Sequence, residues 1–280
     1  MREINVNEIR KKIAGLSVQA NTVLRDDIEK ALQKAVSKEK NSRAKGILKI
    51  LLENAEIARR EKIAICQDTG IVLVDMEIGQ DINLKGGDLK KAVDAGIKEG
   101  YSRGYFRKSV ILDPILRNKG SDYIPSIIYT DIVKGNKIRL AISPKGFGSE
   151  NKSRLKMFNP TDDKEKIIKF ILDTVRNAGA DACPPFILGI GIGGSFEKAA
   201  LLAKKALLKP IDKRNSKPHL RRLEDEILEK VNKLNIGPMG LGGSTTCLGV
   251  NILDAPTHIA GLPVAVNVGC HATRSATAII

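Results

Sequence analysis

Tryptophan is absent from this sequence, aromatic residues make up only 4% of it, and none of its four cysteines forms a C-x-x-C pair. Few aromatics leave few stacking platforms for single-stranded nucleic acid. Four scattered cysteines in a chain of 280 residues indicate neither a disulfide framework nor a zinc ribbon or thioredoxin motif. No apolar run approaches the roughly 20 residues that span a bilayer, and no apolar stretch follows the N-terminal charges as in a signal peptide. We therefore expect a cytoplasmic protein without a membrane partner.

The net charge of +15 raises the possibility of nucleic-acid binding. Its distribution argues against that function, because acids interleave with the bases in segments of helical period such as 88–100 and 219–234. Residues 236–280 carry only two charges, Asp254 and Arg274. No nucleic-acid partner is expected, and a basic nucleic-acid-binding protein remains a distant alternative.

Hydrophobic periodicity predicts a helical part over residues 1–60 within a single domain over residues 1–280. A strand is predicted at 70–78 and a helix near 88–103. Segments 126–133 and 137–143 resemble a hairpin turning at Lys134-Gly135-Asn136. Asp162, Asp163, Arg176 and Gly179 mark the ends of a further helix.

In the second half of the chain, the sequence predicts a strand, a glycine loop and a helix over residues 180–210, an amphipathic helix at 218–234, and two buried strands near the C-terminus. Gly189, Gly191 and Gly194 match the dinucleotide fingerprint G-x-G-x-x-G. The polar, proline-broken segment 209–220 cannot supply the second strand that this fold needs. The glycine loop is instead expected to present N–H groups to an anion such as a substrate carboxylate.

Three of the cysteines share a setting at element boundaries among polar residues. These are Cys66 in "CQDTG", Cys183 before Pro-Pro, and Cys270 before His-Ala-Thr-Arg. Cys247 opens an apolar strand and is expected to be buried. From the residues alone, three explanations stay open. Cys66, Cys183 and Cys270 could be inert thiols, zinc ligands completed by His258 or His271, or ligands of a four-iron cluster in which one iron has no protein ligand.

Five stretches carry a family resemblance: 66–70, 144–157, 182–199, 240–252 and 258–274. They resemble class I, iron–sulfur dependent fumarate hydratases, specifically the α subunit of the two-subunit form, and its close relative the L(+)-tartrate dehydratase α subunit. The resemblance covers the chain from about residue 40 to its end. It implies an α+β fold in which helices surround a small mixed β-sheet.

The resemblance also implies a site. Cys66, Cys183 and Cys270 would ligate a [4Fe-4S] cluster with one iron not ligated by protein. Asp68 would donate a proton to the departing hydroxyl. The expected contacts to the dicarboxylate substrate, malate or fumarate, are Gln67, Arg107, Gly148, Asn151 and His258.

In single-chain relatives a further half follows the third ligand and carries the proposed base. We therefore expect this chain to need a separate β subunit, in an α2β2 assembly, before it can turn over. The substrate alternative is tartrate, and a structural zinc protein is the remaining alternative function.

Overall fold

The computed structural model describes residues 1–117 and 120–280, and the chain divides into two compact units. The first unit comprises Met1–Arg25, Asn54–Gly146 and Arg274–Ile280, and the second comprises Asp26–Glu53 and Phe147–Thr273. Within the described residues, no helix is long and apolar enough to cross a membrane. The single domain predicted over residues 1–280 stays a prediction.

Over the described residues, the first unit contains two long helices and three sheets, one of four strands and two of two strands. Its elements are β1 (Arg2–Asn5), α1 (Val6–Thr22), β2 (Ile71–Gly79), β3 (Ile82–Lys85), α4 (Leu89–Arg103), β4 (Val110–Ile111), β5 (Ser121–Asp122), β6 (Ile127–Val133), β7 (Ile138–Lys145) and β12 (Ala276–Ile279). Helix α3 (Ser42–Glu61) begins in the second unit and ends in the first.

The main sheet of this unit has the strand order β12-β7-β2-β6. Strand β2 runs parallel to β6 and antiparallel to β7, so it lies between the two strands that the sequence predicted to form a hairpin. The hairpin prediction was therefore wrong. Strand β2 is almost wholly buried, and a strand buried on both faces belongs at the centre of a sheet.

Helices α1 and α4 pack closely against each other beside this sheet. A Cβ at Gly96 or Gly100 of α4 would lie 2.5 Å from the carbonyl oxygens of Arg10 and Ala14 of α1. Tyr101 of α4 is buried in the same core. The glycines thus allow the two backbones to approach and bring Tyr101 into the interior.

The second unit contains a four-stranded sheet with the order β10-β9-β11-β8. Its elements are α2 (Asp26–Lys38), α5 (Phe147–Glu150), β8 (Arg154–Phe158), α6 (Lys164–Ala178), a short 3-10 helix (Gly179–Ala182), β9 (Phe186–Gly193), α7 (Phe196–Ala206), α8 (Pro218–Asn232), a 3-10 turn (Pro238–Gly240), β10 (Cys247–Ala255) and β11 (Leu262–Gly269). Strand β9 is parallel to β10 and antiparallel to β11.

Strand β9 alternates between two packing surfaces. Leu188 and Ile190 join the core formed with α6 and α8. Gly189 and Gly191 face α7, where an added Cβ would lie 2.2 Å from Ala203 O and 2.0 Å from Ala199 O respectively. Two of the three fingerprint glycines therefore serve close packing of a helix on a strand.

The α+β class with helices around small mixed sheets is confirmed, although two four-stranded sheets take the place of one. Most predicted elements are present, including β2, α4, α8 and the two C-terminal strands. Helix α6 begins at Lys164, and Asp163 caps it by accepting a hydrogen bond from Lys166 N.

We expect Gly191→Ala to destabilise the protein by about 2–3 kcal/mol, because the new methyl group would overlap the Ala199 carbonyl of α7. Urea denaturation followed by circular dichroism measures the change. Gly46→Ala, in the interior of α3 with no atom within 4 Å of an added Cβ, is the matched control. The control should be neutral or stabilising by about 0.5–1 kcal/mol, and equal losses in both variants would contradict the packing argument.

Candidate functional site

Cys66 lies in an irregular turn of the first unit, between the end of α3 and the start of β2. Cys66 follows helix α3, although the short apolar run at 63–65 before it is typical of a strand. Its thiol is half-buried and donates to Gln67 Oε1 at 3.2 Å, while the Gln67 side chain is exposed. The neighbouring Ile65 is fixed by its N–H donating to Asn21 O at 2.9 Å. The backbone before the turn is thus held in place, and Cys66 and Gln67 lie at the surface of the turn.

Gly70 ends this turn and allows the backbone to pack against the end of β7. Gly70 has φ +66°, and a Cβ there would lie 2.2 Å from Lys145 O. Its N–H donates to Asp68 Oδ1 at 3.0 Å. A Cβ built on Gly146 would meet Asp68 Oδ2 at 3.0 Å. The Asp68 carboxylate is therefore held in an Asx turn beside Gly146.

Thr69 ties the same turn to the predicted Arg107. Its Oγ1 donates to Arg107 O at 2.9 Å, and its own carbonyl accepts from Tyr101 Oη at 2.8 Å. Burial raises the pKa of Tyr101 to about 12, so its hydroxyl stays protonated and remains a donor. The Arg107 side chain is exposed. The first unit therefore brings Cys66, Gln67, Asp68 and Arg107 into one neighbourhood.

In the second unit, strand pairing places the other two predicted cysteines at one edge of the sheet. Cys183 comes just before β9, and Cys270 comes directly after β11. Because the two strands are antiparallel, with Gly269 opposite Ile187, the start of β9 and the end of β11 lie side by side. Both thiols are half-buried, and neither is in a disulfide.

His271 joins the two cysteine turns, a role that the sequence did not assign to it. Its N–H donates to Cys183 O at 3.1 Å, and its Nδ1 lies 3.2 Å from the same oxygen. Since a carbonyl only accepts, this second bond requires the proton on Nδ1. Thr273 closes the Cys270 turn by donating to Cys270 O from its N–H at 3.0 Å and its Oγ1 at 2.8 Å. The one available signal was the position of His271 next to Cys270.

The segment with Gly148 and Asn151 is anchored to the same sheet. Glu150 Oε2 accepts from Asn267 Nδ2 of β11 at 2.8 Å, and the Glu150 carboxylate also pairs with Lys204 of α7. Burial lowers the pKa of Lys204, with Glu150 opposing that shift. A Cβ at Gly148 would lie 3.3 Å from Asp181 O, in the short helix before Cys183. Gly148 and Asn151 are exposed on this anchored loop.

His258 lies in an exposed turn between β10 and β11. Its Nδ1 accepts from Ala260 N at 3.1 Å, which places the proton of the neutral ring on Nε2. The preceding Thr257 donates to Gly194 O at 3.0 Å, so this turn adjoins the glycine loop. The structure therefore fixes the tautomer that would offer an Nε2–H to a substrate oxygen.

Cys247 is buried, as predicted, and its thiol donates to Gly249 O at 3.2 Å. Burial raises the pKa of this thiol to about 12. A thiol of this kind is neither a ready nucleophile nor a metal ligand.

The donor set fits an iron–sulfur cluster in its chemistry, because three half-buried thiols carry no disulfide and stand on fixed turns. The structure brings the turns of Cys183 and Cys270 together, and it places Cys66 in the first unit. Over residues 1–117 and 120–280, no three His, Cys, Asp or Glu side chains are grouped so as to hold one metal ion. The full ligand set therefore remains a proposal.

Glu39 is a further residue that sequence patterns did not single out. Its buried carboxylate accepts from Asn41 N at 3.1 Å, and from the N–H groups of Ser244 and Thr245 at 2.9 and 3.2 Å. Burial alone would raise its pKa, but the hydrogen bonds from Asn41 and Ser244 outweigh burial and lower the pKa. Glu39 thus anchors the glycine-rich segment before Cys247.

A cavity of 470 Å³ in the second unit lies apart from these residues. It is lined by Lys30, Lys34 and Lys38 of α2, together with side chains of α8 and of the segment around Cys247. None of the predicted site residues lines it. The predicted site residues therefore lie on turns outside this cavity.

The comparisons with known proteins place the chain among the iron–sulfur hydro-lyase α subunits. The chain belongs to the fumarate hydratase (fumerase) family, whose model matches residues 10–279. It is 39% identical over 277 residues to a Methanocaldococcus jannaschii protein provisionally named L(+)-tartrate dehydratase subunit alpha, covering 96% of each chain. It is 29% identical over 279 residues to the L(+)-tartrate dehydratase subunit alpha of Escherichia coli K12, covering 98% of this chain and 91% of the relative.

We expect iodoacetamide at pH 8 to label Cys66, Cys183 and Cys270 of the cluster-free chain more than about a hundredfold faster than Cys247. With a pKa of about 12, only about one Cys247 thiol in ten thousand is ionised at that pH. Mass spectrometry of digested samples gives each rate, and labelling in urea is the control in which all four should react. Comparable labelling of Cys247 in the folded chain would contradict its assignment as a buried thiol.

We expect Glu39→Gln to lower the free energy of unfolding at pH 7 by about 1–3 kcal/mol, because the variant loses charged acceptors for buried N–H groups. The folded-state pKa of Glu39 lies below 4.5, so its stabilisation is present above that pH and is lost as the pH falls through the folded pKa. Urea titrations between pH 3 and pH 7 should therefore show the difference shrinking in acid. Glu53→Gln, at an exposed position in α3, is the control and should change neither the free energy of unfolding at pH 7 nor its dependence on pH. A loss of stability in Glu39→Gln that does not vary with pH would contradict the electrostatic cause.

Proposed function

We propose that this chain is the α subunit of a [4Fe-4S]-dependent hydro-lyase that interconverts (S)-malate and fumarate plus water. Cys66, Cys183 and Cys270 are the proposed cluster ligands, with one iron left without a protein ligand. The observation that carries the proposal is the hydrogen bonding of His271 to Cys183 O. It joins two of the three cysteine turns in a chain that matches the family over residues 10–279.

The reaction removes a proton and a hydroxide from neighbouring carbons of a hydroxy dicarboxylate. The open iron of the bound cluster supplies a Lewis acid for the hydroxyl. Asp68 is the proposed acid that gives its proton to the departing hydroxyl, so that water leaves. Its position in the Asx turn, with Gly70 N donating to Oδ1, holds its carboxyl group in one orientation. Such orientation is what proton transfer in the transition state requires.

The proposed substrate contacts are exposed side chains or backbone donors on fixed turns. Arg107 presents a guanidinium that matches a carboxylate in bidentate geometry, and its backbone is held by Thr69. Gln67 lies next to Cys66 and offers an amide.

The second unit supplies the remaining proposed contacts. The loop with Gly148 and Asn151 offers backbone and amide donors, and His258 offers Nε2–H. Donors of this kind stabilise the charge that grows on carboxylate and hydroxyl oxygens during dehydration.

A β subunit is the proposed partner, in an α2β2 assembly with this chain. The relatives that match almost the whole chain are named as subunits alpha. No residue of the chain is assigned as the base that removes the carbon-bound proton, and this base is expected on the partner.

L(+)-Tartrate is the second candidate substrate, because the relatives that match the chain at 29–39% identity are named as tartrate dehydratase subunits. Tartrate differs from malate by one hydroxyl. A single added hydrogen-bonding group in the pocket could therefore change the preference between the two acids.

We expect anaerobic reconstitution of the chain with iron and sulfide to give a cluster that Cys66→Ser, Cys183→Ser and Cys270→Ser each abolish. Visible absorption and iron content per chain provide the measurement. Cys247→Ser is the matched control, because this thiol is buried in the core and should not bind iron. A requirement for Cys247, or a cluster that survives the other three changes, would show that the ligand assignment is wrong.

We expect the reconstituted chain alone to be inactive and the pair with its β subunit to dehydrate (S)-malate faster than L-tartrate, assayed side by side. Asp68→Asn in the pair should lower kcat by about 10²–10⁴-fold with little change in KM, since it removes a proton donor and keeps the shape. Faster turnover of tartrate would show that tartrate is the preferred substrate and would leave the assignment as a hydro-lyase unchanged. Activity of the chain alone would contradict the proposal that a β subunit is required for turnover.

A further inference from the structure

Arg274 is a buried cation in the first unit, close behind the turn that carries Cys66 and Asp68. Its side chain is only 3% exposed. Its Nη2 donates to Asp68 O at 2.7 Å. Within residues 1–117 and 120–280, its Nε and Nη1 are buried without a hydrogen-bond partner. Arg274 ends the motif that begins at Cys270, but the sequence assigned it no role and the proposed mechanism does not use its side chain.

Burying a guanidinium with two unsatisfied nitrogens is costly, because the charge loses its hydration and gains only part of its hydrogen bonding. If the position needed only to fill space, an apolar residue of similar volume would fill it at lower cost. The presence of arginine therefore indicates that its hydrogen bond to the Asp68 carbonyl has a use beyond packing.

Arg274 is itself fixed at both ends. Its carbonyl accepts from Ser143 Oγ of β7 at 2.8 Å, and strand β12 begins two residues later. On the other side of the turn, Tyr101 donates to Thr69 O at 2.8 Å. Two successive carbonyls of the turn, those of Asp68 and Thr69, thus each accept one hydrogen bond from a buried side chain.

We propose that Arg274 is a positioning residue for Asp68. By holding the Asp68 carbonyl, it fixes the peptide plane from which the carboxyl group of Asp68 projects, and it holds the turn of Cys66 two residues earlier. Arg274 does not touch the substrate, because its guanidinium is sealed from solvent in the core. This inference rests on the proposed function only in that Asp68 and Cys66 are taken as site residues.

The first test uses the full chain without its cluster and needs no activity. We expect Arg274→Met to increase amide hydrogen exchange of residues 66–70 by about tenfold, because it removes a hydrogen bond from a charged donor. Exchange in the central strand β2 should stay unchanged. Arg274→Lys keeps a charged donor and should restore most of the protection. Arg103→Met, at an exposed position in α4, is the matched control and should leave residues 66–70 unaffected.

The second test uses the reconstituted pair. We expect Arg274→Met to lower kcat by about tenfold or more with KM within about twofold, and Arg274→Lys to recover most of kcat, since positioning the proton donor affects the transition state. If Arg274→Met does not give a native circular dichroism spectrum, Arg274→Gln replaces it in both tests.

Three results would overturn the positioning role. These are unchanged exchange at residues 66–70, an increase spread evenly over β2 as well, or a lysine variant no better than the methionine variant. A wild-type chain that binds no cluster would instead count against the proposed function and would leave the exchange experiment valid. The two ideas can therefore fail separately.

Discussion

The antiparallel pairing of β9 with β11 is the constraint on which the arrangement of the second unit's two cysteine turns depends. With Gly269 opposite Ile187, the residues before β9 and after β11 must lie at the same edge of the sheet. Cys183 and Cys270 occupy those positions, and His271 joins their turns through the Cys183 carbonyl. The close approach of α7 at Gly189 and Gly191 keeps one face of β9 covered. The register of the sheet therefore positions the two cysteine turns, which no local sequence motif could do.

The first unit holds the turn from Cys66 to Gly70 with buried polar groups instead of strand register. The turn from Cys66 to Gly70 has no regular structure, so its carbonyls need partners from elsewhere. Tyr101 and Arg274 donate to two of them from the core, and Thr69 in turn donates to the carbonyl of Arg107. An irregular turn tied down in this way can expose Gln67 and still keep a defined shape.

The elements that the sequence predicted well are those with a clear local period or cap. Strand β2 follows from its run of β-branched residues, and α6 follows from the residues that mark its ends. The hairpin prediction was wrong because it paired β6 with β7 on the basis of their proximity along the chain. In the sheet, the more apolar β2 lies between them. Strand order is decided by burial over the whole sheet, which a local pattern does not contain.

The candidate site shows the same limit at the level of single residues. Family motifs named Cys66, Cys183, Cys270 and their neighbours, but they did not distinguish a side chain that faces a ligand from one that supports it. Arg274 shares a motif with Cys270, yet it lies in the core and bonds to a backbone carbonyl.

Exposure provides that distinction. The proposed contacts Gln67, Arg107, Asn151 and His258 are exposed, whereas the side chains that hold their turns, such as Tyr101 and Arg274, are buried. Within each unit, exposed donors on hydrogen-bonded turns outside the lysine-lined cavity are consistent with the proposed completion of the site by a partner subunit. A site enclosed by this chain alone would instead place its polar groups around a cavity.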